Sequence, residues 1–167
     1  MLICVPIKKK TFKDCLQSFK KAQKIGDVVE IWFDSFSAGG EIKDLFKIKS
    51  KPILYKVEGT DKDFQKVLQT NSIDYIDLDL STPQNVIKKI KYDQPKVKII
   101  ISFHDFKKTP SLKMLEKISD EMIKIGADIV KIATFANNFK DSMTILELLS
   151  GLTARNIKAI CLAMGKE

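Results

Sequence analysis

The chain has 167 residues, of which 44% are hydrophobic, and a formal net charge of +8. This length suits one compact domain and no run approaches the roughly 20 apolar residues that cross a bilayer, so we predict a single domain over residues 1–167, no membrane partner and a cytoplasmic location. Because Arg155 is the only arginine, and arginine is the residue best suited to reading phosphates and bases, we also predict no nucleic-acid partner.

Short β-type runs alternate with longer helix-period segments along the whole chain. Several of the β-type runs are almost continuously apolar, which is typical of strands buried on both faces of a parallel sheet. The predicted strands, in chain order, cover residues 2–7, 28–33, 52–57, 75–78, 97–103, 129–133 and 159–163.

Helix starts are indicated by capping residues ahead of apolar stripes. The predicted starts are Thr11 with Asp14, Thr60 with Asp63, Thr82 with Pro83, and Thr109 with Pro110. The stripe predicted to face inward in the first helix is Phe12, Cys15, Leu16, Phe19 and Ala22, and that of the last helix is Met143, Ile145, Leu146, Leu149 and Leu152.

Seven strands and six intervening helical segments in strict order favour an α/β fold of the TIM-type (β/α)8 barrel class over a doubly wound sheet. No glycine-rich phosphate loop follows any strand, which also speaks against the nucleotide-binding folds. A complete barrel has eight strands and typically about 250 residues. We therefore expect the barrel to be incomplete at the C-terminus, lacking its last βα unit, with its first and seventh strands as edges that something must cover.

His104 is the only histidine, and it directly follows the apolar run 97–103. This position is the carboxyl end of a strand, where barrel enzymes place catalytic groups. An imidazole titrates near neutrality, so His104 is a candidate for proton transfer. The alternative is a structural histidine bonded to a loop carbonyl.

Lys131 lies within the run 127–133, which otherwise has the composition of a buried strand. Burial disfavours the ammonium form and favours a neutral amine that can attack a ketone. Lys131 is thus a candidate nucleophile, and the alternative is a lysine that reaches solvent from a strand end.

Carboxylates follow the second and fourth strands. Alternation along a strand sends Asp77 and Asp79 to one side and Leu78 to the other, so both carboxylates could point into the barrel. Glu30 lies on the second strand. The alternative is that these carboxylates organise loops. No histidine stands near them and the three cysteines are widely spaced, so we predict no metal site.

At these residues the sequence resembles type I 3-dehydroquinate dehydratase. Residues 102–110 (SFHDFKKTP) look like the histidine segment of that family, and residues 127–133 (ADIVKIA) look like its Schiff-base lysine strand. Residues 75–79 (YIDLD) resemble its acidic fourth strand, and residues 162–165 (LAMG) resemble its seventh strand and the following loop. The resemblance covers essentially the whole chain.

The resemblance implies a lyase of the shikimate pathway, in aromatic amino acid biosynthesis, whose small-molecule substrate is 3-dehydroquinate. Lys131 would form an iminium with the C3 ketone, and His104 would remove a C2 proton and deliver one to the departing C1 hydroxyl, giving 3-dehydroshikimate. The resemblance implies that the reaction needs no cofactor. It also implies a homodimer. The substrate-binding residues implied are Glu30, Asp77, Asp79 and Met164, and Lys56 is a further substrate-binding candidate.

Three arginines of the family pattern are absent from this chain. Trp32 stands in place of the first, Glu58 stands near the second, and the third belongs to a Gly-x-x-Ser-Arg stretch expected just after Glu167. Lys56 is a candidate to replace one positive charge, although as a point charge and not as a planar fork.

Two other functions stay open on the sequence. A class I aldolase also uses a lysine on a barrel strand, but it would release a cleaved carbon fragment. A substrate-diverged or inactive barrel, serving as a binding or assembly module, is consistent with Trp32 and Glu58. Such a module would form no reducible adduct on Lys131.

Overall fold

The computed structural model of the chain describes residues 2–32, 42–57 and 72–165. Strands and helices alternate through these residues. The elements, in chain order, are β1 (Cys4–Ile7), α1 (Phe12–Ile25), β2 (Val28–Ile31), α2 (Ile42–Lys47), β3 (Ile53–Lys56), β4 (Tyr75–Asp79), α3 (Gln84–Asp93), β5 (Lys98–Asp105), α4 (Leu112–Ile125), β6 (Ile129–Phe135), α5 (Phe139–Ala154) and β7 (Ala159–Met164). All seven predicted strands are present, with ends that differ by at most two residues.

The seven strands are hydrogen-bonded neighbours in their sequence order, from β1 to β7. Parallel pairing joins β1 to β2, β2 to β3, β3 to β4, β5 to β6 and β6 to β7. A sequential order of parallel strands with alternating helices is the strand order of the TIM-type barrel, and it confirms the predicted fold class.

The chain divides into two compact units. The first comprises Met1–Asp77 and Lys91–Lys98, and the second comprises Leu78–Ile90 and Ile99–Glu167. The first unit therefore holds β1, β2, β3 and most of β4, while the second holds β5, β6 and β7 with α4 and α5.

In the first unit, α1 packs on the sheet through one apolar stripe. Cys15, Phe19 and Ala22 are buried, and the predicted Phe12 and Leu16 are half-buried at its border. The predicted cap is confirmed, because the Thr11 hydroxyl accepts a hydrogen bond from the Asp14 amide at 3.2 Å. The start predicted at Thr60 and Asp63 lies outside the described residues.

In the second unit, α5 buries Ile145, Leu148 and Leu152. The prediction that Met143 and Leu146 face inward is wrong, because their side chains are 47% and 57% exposed. Apolar residues occupy so much of the circumference of α5 that their spacing does not select one face, and packing against the strands decides it.

Two boundaries near the predicted site also differ from expectation. β5 continues to Asp105, so His104 lies within the strand and not after it. Thr109 does not cap α4, whose N-cap is Ser111. The Thr109 hydroxyl instead donates a hydrogen bond to the carbonyl of Phe135, at 3.0 Å, at the end of β6.

Among the helices in residues 2–32, 42–57 and 72–165, none has the length and apolar composition that a membrane-crossing helix requires.

Candidate active site

Lys131 and His104 lie on the same face of two adjacent parallel strands, β6 and β5. The register places Ser102 opposite Lys131, and His104 opposite Ala133. Because side chains alternate along a strand, Lys131 and Ala133 share a face, and His104 shares it with them. One two-residue step along the strand separates Lys131 from His104, so strand spacing places their Cα atoms roughly 8 Å apart. Both side chains can therefore reach one small molecule on this face.

Lys131 is buried. Its exposed fraction is 8%, and the exposed fractions of its neighbours Val130 and Ile132 are 1% and 0%. An ammonium group loses its hydration at such a position, so burial favours either the neutral amine or a closely partnered cation. The site can thus present a nucleophilic nitrogen at the sheet surface.

The His104 imidazole is half-buried and stacks on the ring of Phe106. The ring centroids are 5.8 Å apart and the ring planes differ by 9°. This is an offset parallel arrangement, within the distance range that aromatic pairs prefer. The sequence placed Phe106 within the histidine segment but gave it no role of its own.

The turn after His104 is organised by Asp105. Its Oδ1 atom accepts hydrogen bonds from the Lys107 amide at 2.9 Å and from the Lys108 amide at 3.1 Å. The bond from Lys107 is the main cause, and that from Lys108 the second, of a pKa for Asp105 below its ordinary value. Asp105 therefore stays ionised near neutrality and fixes the backbone that follows β5.

Two further residues of this unit lie on the face that carries Lys131. Met164 ends β7 opposite Phe135, on the face that also carries Lys131, and it is half-buried. Ser102 is buried, and its hydroxyl donates to the carbonyl of Leu78 at 3.3 Å. The histidine motif contains Ser102, but only the register of β5 and β6 shows that this residue lies opposite Lys131.

Asp79 is exposed at the end of β4. Its Oδ1 atom accepts a hydrogen bond from the Ser81 amide at 2.9 Å and another from the Ser81 hydroxyl. These contacts organise the turn after the strand. They correspond to the alternative, loop-organising role that the sequence left open for this carboxylate.

In the first unit, Lys56 and Asp77 form a buried ion pair. They lie opposite each other in the register of β3 and β4, and the Lys56 Nζ is 2.8 Å from the Asp77 Oδ1. The exposed fractions of their side chains are 8% and 0%. Lys56 is thus a buried cation whose charge is balanced by a carboxylate on the next strand.

Glu30 and Trp32 also belong to this face of the first unit. Glu30 is opposite Leu54, which places it on the side of the sheet where Lys56 lies two residues further on. The indole Nε1 of Trp32 donates to Glu30 Oε1 at 2.8 Å. Glu30 is thereby oriented by the residue that stands where the family pattern has an arginine.

A second lysine of the first unit, Lys8, contacts Trp32. The Lys8 Nζ is 4.0 Å from the centroid of a Trp32 ring, within the range of a cation–π contact. Lys8 follows the last residue of β1, so its position at the carboxyl end of a strand could have flagged it in the sequence. The predicted Glu58 and the residues after Trp32 on the second strand lie outside the described residues.

No group of three histidine, cysteine or acidic side chains suited to a metal ion occurs in residues 2–32, 42–57 and 72–165. The described residues at the predicted site are instead an amine, an imidazole, carboxylates and hydroxyls, which are groups suited to proton transfer and to reaction with a carbonyl.

A family model and sequence relatives point to one family. The model of the type I 3-dehydroquinase family matches residues 3–167. A 3-dehydroquinate dehydratase of Methanococcus maripaludis is 31% identical over 180 residues, which cover 99% of this chain and 80% of that protein. Among solved structures, type I 3-dehydroquinate dehydratase from Clostridium difficile is 28% identical with a TM-score of 0.79, over 90% of this chain and 69% of that chain. The 3-dehydroquinate dehydratase of Enterococcus faecalis, at 22% identity, shares the fold with a TM-score of 0.85 over 99% of this chain and 80% of that chain.

Proposed function

The chain belongs to the type I 3-dehydroquinase family, and we propose that it converts 3-dehydroquinate to 3-dehydroshikimate through a Schiff base on Lys131. The reaction is an elimination of water and makes the protein a carbon–oxygen lyase of the shikimate pathway. The observation that carries the proposal is the position of a buried lysine and the single histidine on one face of adjacent strands.

The Lys131 amine attacks the C3 ketone, and loss of water from the resulting carbinolamine gives an iminium. The cationic nitrogen withdraws electrons and acidifies the hydrogens on C2. A buried position supports this step, because a desolvated lysine more readily gives up the proton that would block its attack.

His104 then takes a proton from C2, and the electron pair left on carbon forms an enamine with the iminium nitrogen. The enamine expels the C1 hydroxyl, which leaves as water with the proton that the imidazole returns. Hydrolysis of the remaining iminium releases 3-dehydroshikimate and restores the amine. These reaction steps need only the substrate, water, protons and the two protein side chains.

We assign substrate binding to Glu30, Lys56, Asp77, Asp79 and Met164. The buried Lys56–Asp77 pair and the oriented carboxylate of Glu30 support the assignment for three of them, because held polar groups suit a hydroxylated, anionic substrate. For Asp79 the contacts with Ser81 support a turn-forming role as strongly. Variants E30Q, D77N and D79N test the assignment: a substrate-binding residue raises KM when it is changed.

Turnover is measured by the absorbance of the conjugated enone product. K131M and H104A should each lose at least about a thousandfold in kcat, since each removes a group that reacts directly with substrate. The exposed Lys158, which precedes β7 in the same unit, provides the matched control, and K158M should keep wild-type turnover. An H104A variant as active as wild type would contradict the proposed proton transfer.

The same assays separate the remaining functions. A class I aldolase would release a carbon fragment and form no enone from 3-dehydroquinate. A binding or assembly module would show neither turnover nor an adduct that borohydride can reduce.

A further inference from the structure

Phe106 is an aromatic side chain that is 70% exposed and yet has a defined contact. Its ring lies parallel to the His104 imidazole, with the centroids 5.8 Å apart and the planes within 9°. Exposed phenylalanines are costly in hydration and usually adopt several rotamers. The offset stack of this exposed ring on the His104 imidazole therefore suggests a role beyond packing.

The backbone that carries Phe106 is fixed from two sides. Asp105 accepts hydrogen bonds from the amides of Lys107 and Lys108, which close the turn directly after Phe106. The Asn137 side chain donates to the carbonyl of Lys107 at 3.0 Å. The turn is thus attached to the segment between β6 and α5.

A third attachment holds the end of the same loop to β6. The Thr109 hydroxyl donates to the carbonyl of Phe135 at 3.0 Å and lies 2.8 Å from the hydroxyl of Thr134. Thr134 and Phe135 follow Lys131 on the same strand by three and four residues. The loop that carries Phe106 is therefore held to β6, the strand that carries the Lys131 amine.

We propose that Phe106 is a positioning residue for His104: its offset-stacked ring restrains the plane of the imidazole while a proton is taken and returned. The inference rests on the proposed function, because it assigns a role in the proton transfer of that reaction. An aromatic face stacks on a neutral imidazole and also attracts an imidazolium through its quadrupole. The contact therefore persists in both protonation states that the reaction visits.

Holding the imidazole matters because proton transfer requires a short and aligned contact between the ring nitrogen and carbon C2. A ring whose rotation about χ2 is less restrained spends less of its time in that geometry. Loss of the stack should consequently slow the proton-transfer steps and leave iminium formation at Lys131 unchanged.

The chain offers a matched control for an exposed phenylalanine. Phe139, at the start of α5 in the same unit, is also 70% exposed, and it belongs to no part of the proposed site. F139L removes the same atoms from the protein surface as F106L does. F106Y keeps the aromatic ring and serves as the conservative variant.

The experiment measures steady-state turnover of 3-dehydroquinate, borohydride trapping at saturating substrate, and the proton NMR signal of the imidazole, which is unambiguous because His104 is the only histidine. In F106L we expect kcat to fall roughly tenfold, with KM within about twofold of wild type and full trapping on Lys131. The isotope effect of C2-deuterated substrate should rise, and the imidazole signal should lose the ring-current shift of the stacked phenyl. F106Y should restore most of kcat, and F139L should match wild type in every readout.

Wild-type kcat in F106L, or an unchanged imidazole signal, would overturn the positioning role, as would an F106Y variant impaired as much as F106L. A wild-type protein that shows neither turnover nor adduct would instead overturn the proposed function, and the role of Phe106 with it. Melting temperatures of the three variants confirm that losses of kcat do not arise from unfolding.

Discussion

At the level of single residues, the buried ion pair Lys56–Asp77 and the exposed ion pair Arg155–Asp120 have nearly equal separations. Lys56 and Asp77 are 2.8 Å apart and almost fully buried, whereas Arg155 and Asp120 are 2.7 Å apart and half-exposed. Water screens the exposed pair and competes for its charges, but it does not reach the buried pair. The two pairs should therefore differ greatly in energetic weight.

K56M tests this difference. The substitution removes the ammonium beside the fully buried Asp77 carboxylate and should lower the free energy of unfolding by about 3 to 5 kcal/mol. R155A, the control on the exposed pair, should cost about 1 kcal/mol or less. Chemical denaturation of both variants measures the two values, and equal losses would contradict the assigned burial of Lys56.

Single residues could be predicted as functional only where the composition of their own strand marked them as unusual. Lys131 and His104 stood out because a polar residue interrupted or ended an apolar run, and the register now places both on one face. The partner of Lys56 could not be assigned, since Asp77 is 21 residues away and their pairing depends on the register of β3 and β4. The contact of Lys8 with Trp32 could not be predicted for the same reason, because it depends on how the chain folds.

At the scale of elements, α4 illustrates how a helix ends. Gly126 follows its last residue with φ 109° and ψ 27°, a left-handed conformation, and its amide bonds to the carbonyls of Ile123 and Met122. The Ala127 amide also bonds to Met122, which completes a closing turn suited to glycine. This turn leads directly into β6 and thus sets where the strand that carries Lys131 begins.

G126A should destabilise the protein by about 1 to 2 kcal/mol, because a Cβ atom is strained in the left-handed region. The control is G151A in α5, where a new Cβ atom meets nothing within 4 Å. Alanine there should stabilise the protein by roughly 0.5 to 1 kcal/mol, since glycine is a poor helix former. Thermal or urea unfolding gives both signs, and a G126A variant as stable as wild type would be inconsistent with the closing turn.

Predictions at this scale succeeded where one local signal acted alone. Thr11 was identified as a cap from its spacing to Asp14, and the same hydrogen bond is present. Thr109 carried a similar signal, but its hydroxyl donates a hydrogen bond to the carbonyl of Phe135 on β6, 26 residues away in sequence. In α5 the wide apolar surface made the buried face a matter of packing.

At the scale of the whole molecule, two thiols couple stability to alkaline pH. Burial is the main cause that raises the pKa of Cys15 to about 11, and burial raises that of Cys161 to about 11 as well. Their ordinary value is 9.0, so the unfolded chain ionises first as the pH rises. The stability that the two protonated thiols contribute is therefore fully present below pH 9 and is lost progressively between pH 9 and 11.

The melting temperature of the wild-type protein should accordingly fall between pH 9 and 11. A C15A/C161A variant should fall less steeply over the same interval, although its melting temperature at pH 7 is lower because C15A leaves a cavity in the core. Cys4, which is exposed on β1, provides the control, and C4A should follow the wild-type slope. Parallel slopes for all three proteins would contradict the coupling.

The fold class was predictable at this scale because it depends on the order of elements and not on their contacts. Apolar runs alternating with amphipathic helices fixed a parallel α/β arrangement, and the sequential strand order confirms it. The division into two units was not predictable, since its boundary falls between Asp77 and Leu78 inside the continuous strand β4.

Locating the reduced adduct determines whether Lys131 is the amine that binds the substrate carbonyl. The protein is incubated with 3-dehydroquinate, treated with borohydride and digested, and the modified peptide is sequenced by mass spectrometry. We predict a single modified residue, Lys131, in the wild-type protein and in H104A, and no adduct in K131M. A modification on any other of the chain's lysines, or none in the folded wild-type protein, would rule out Lys131 as the Schiff-base residue.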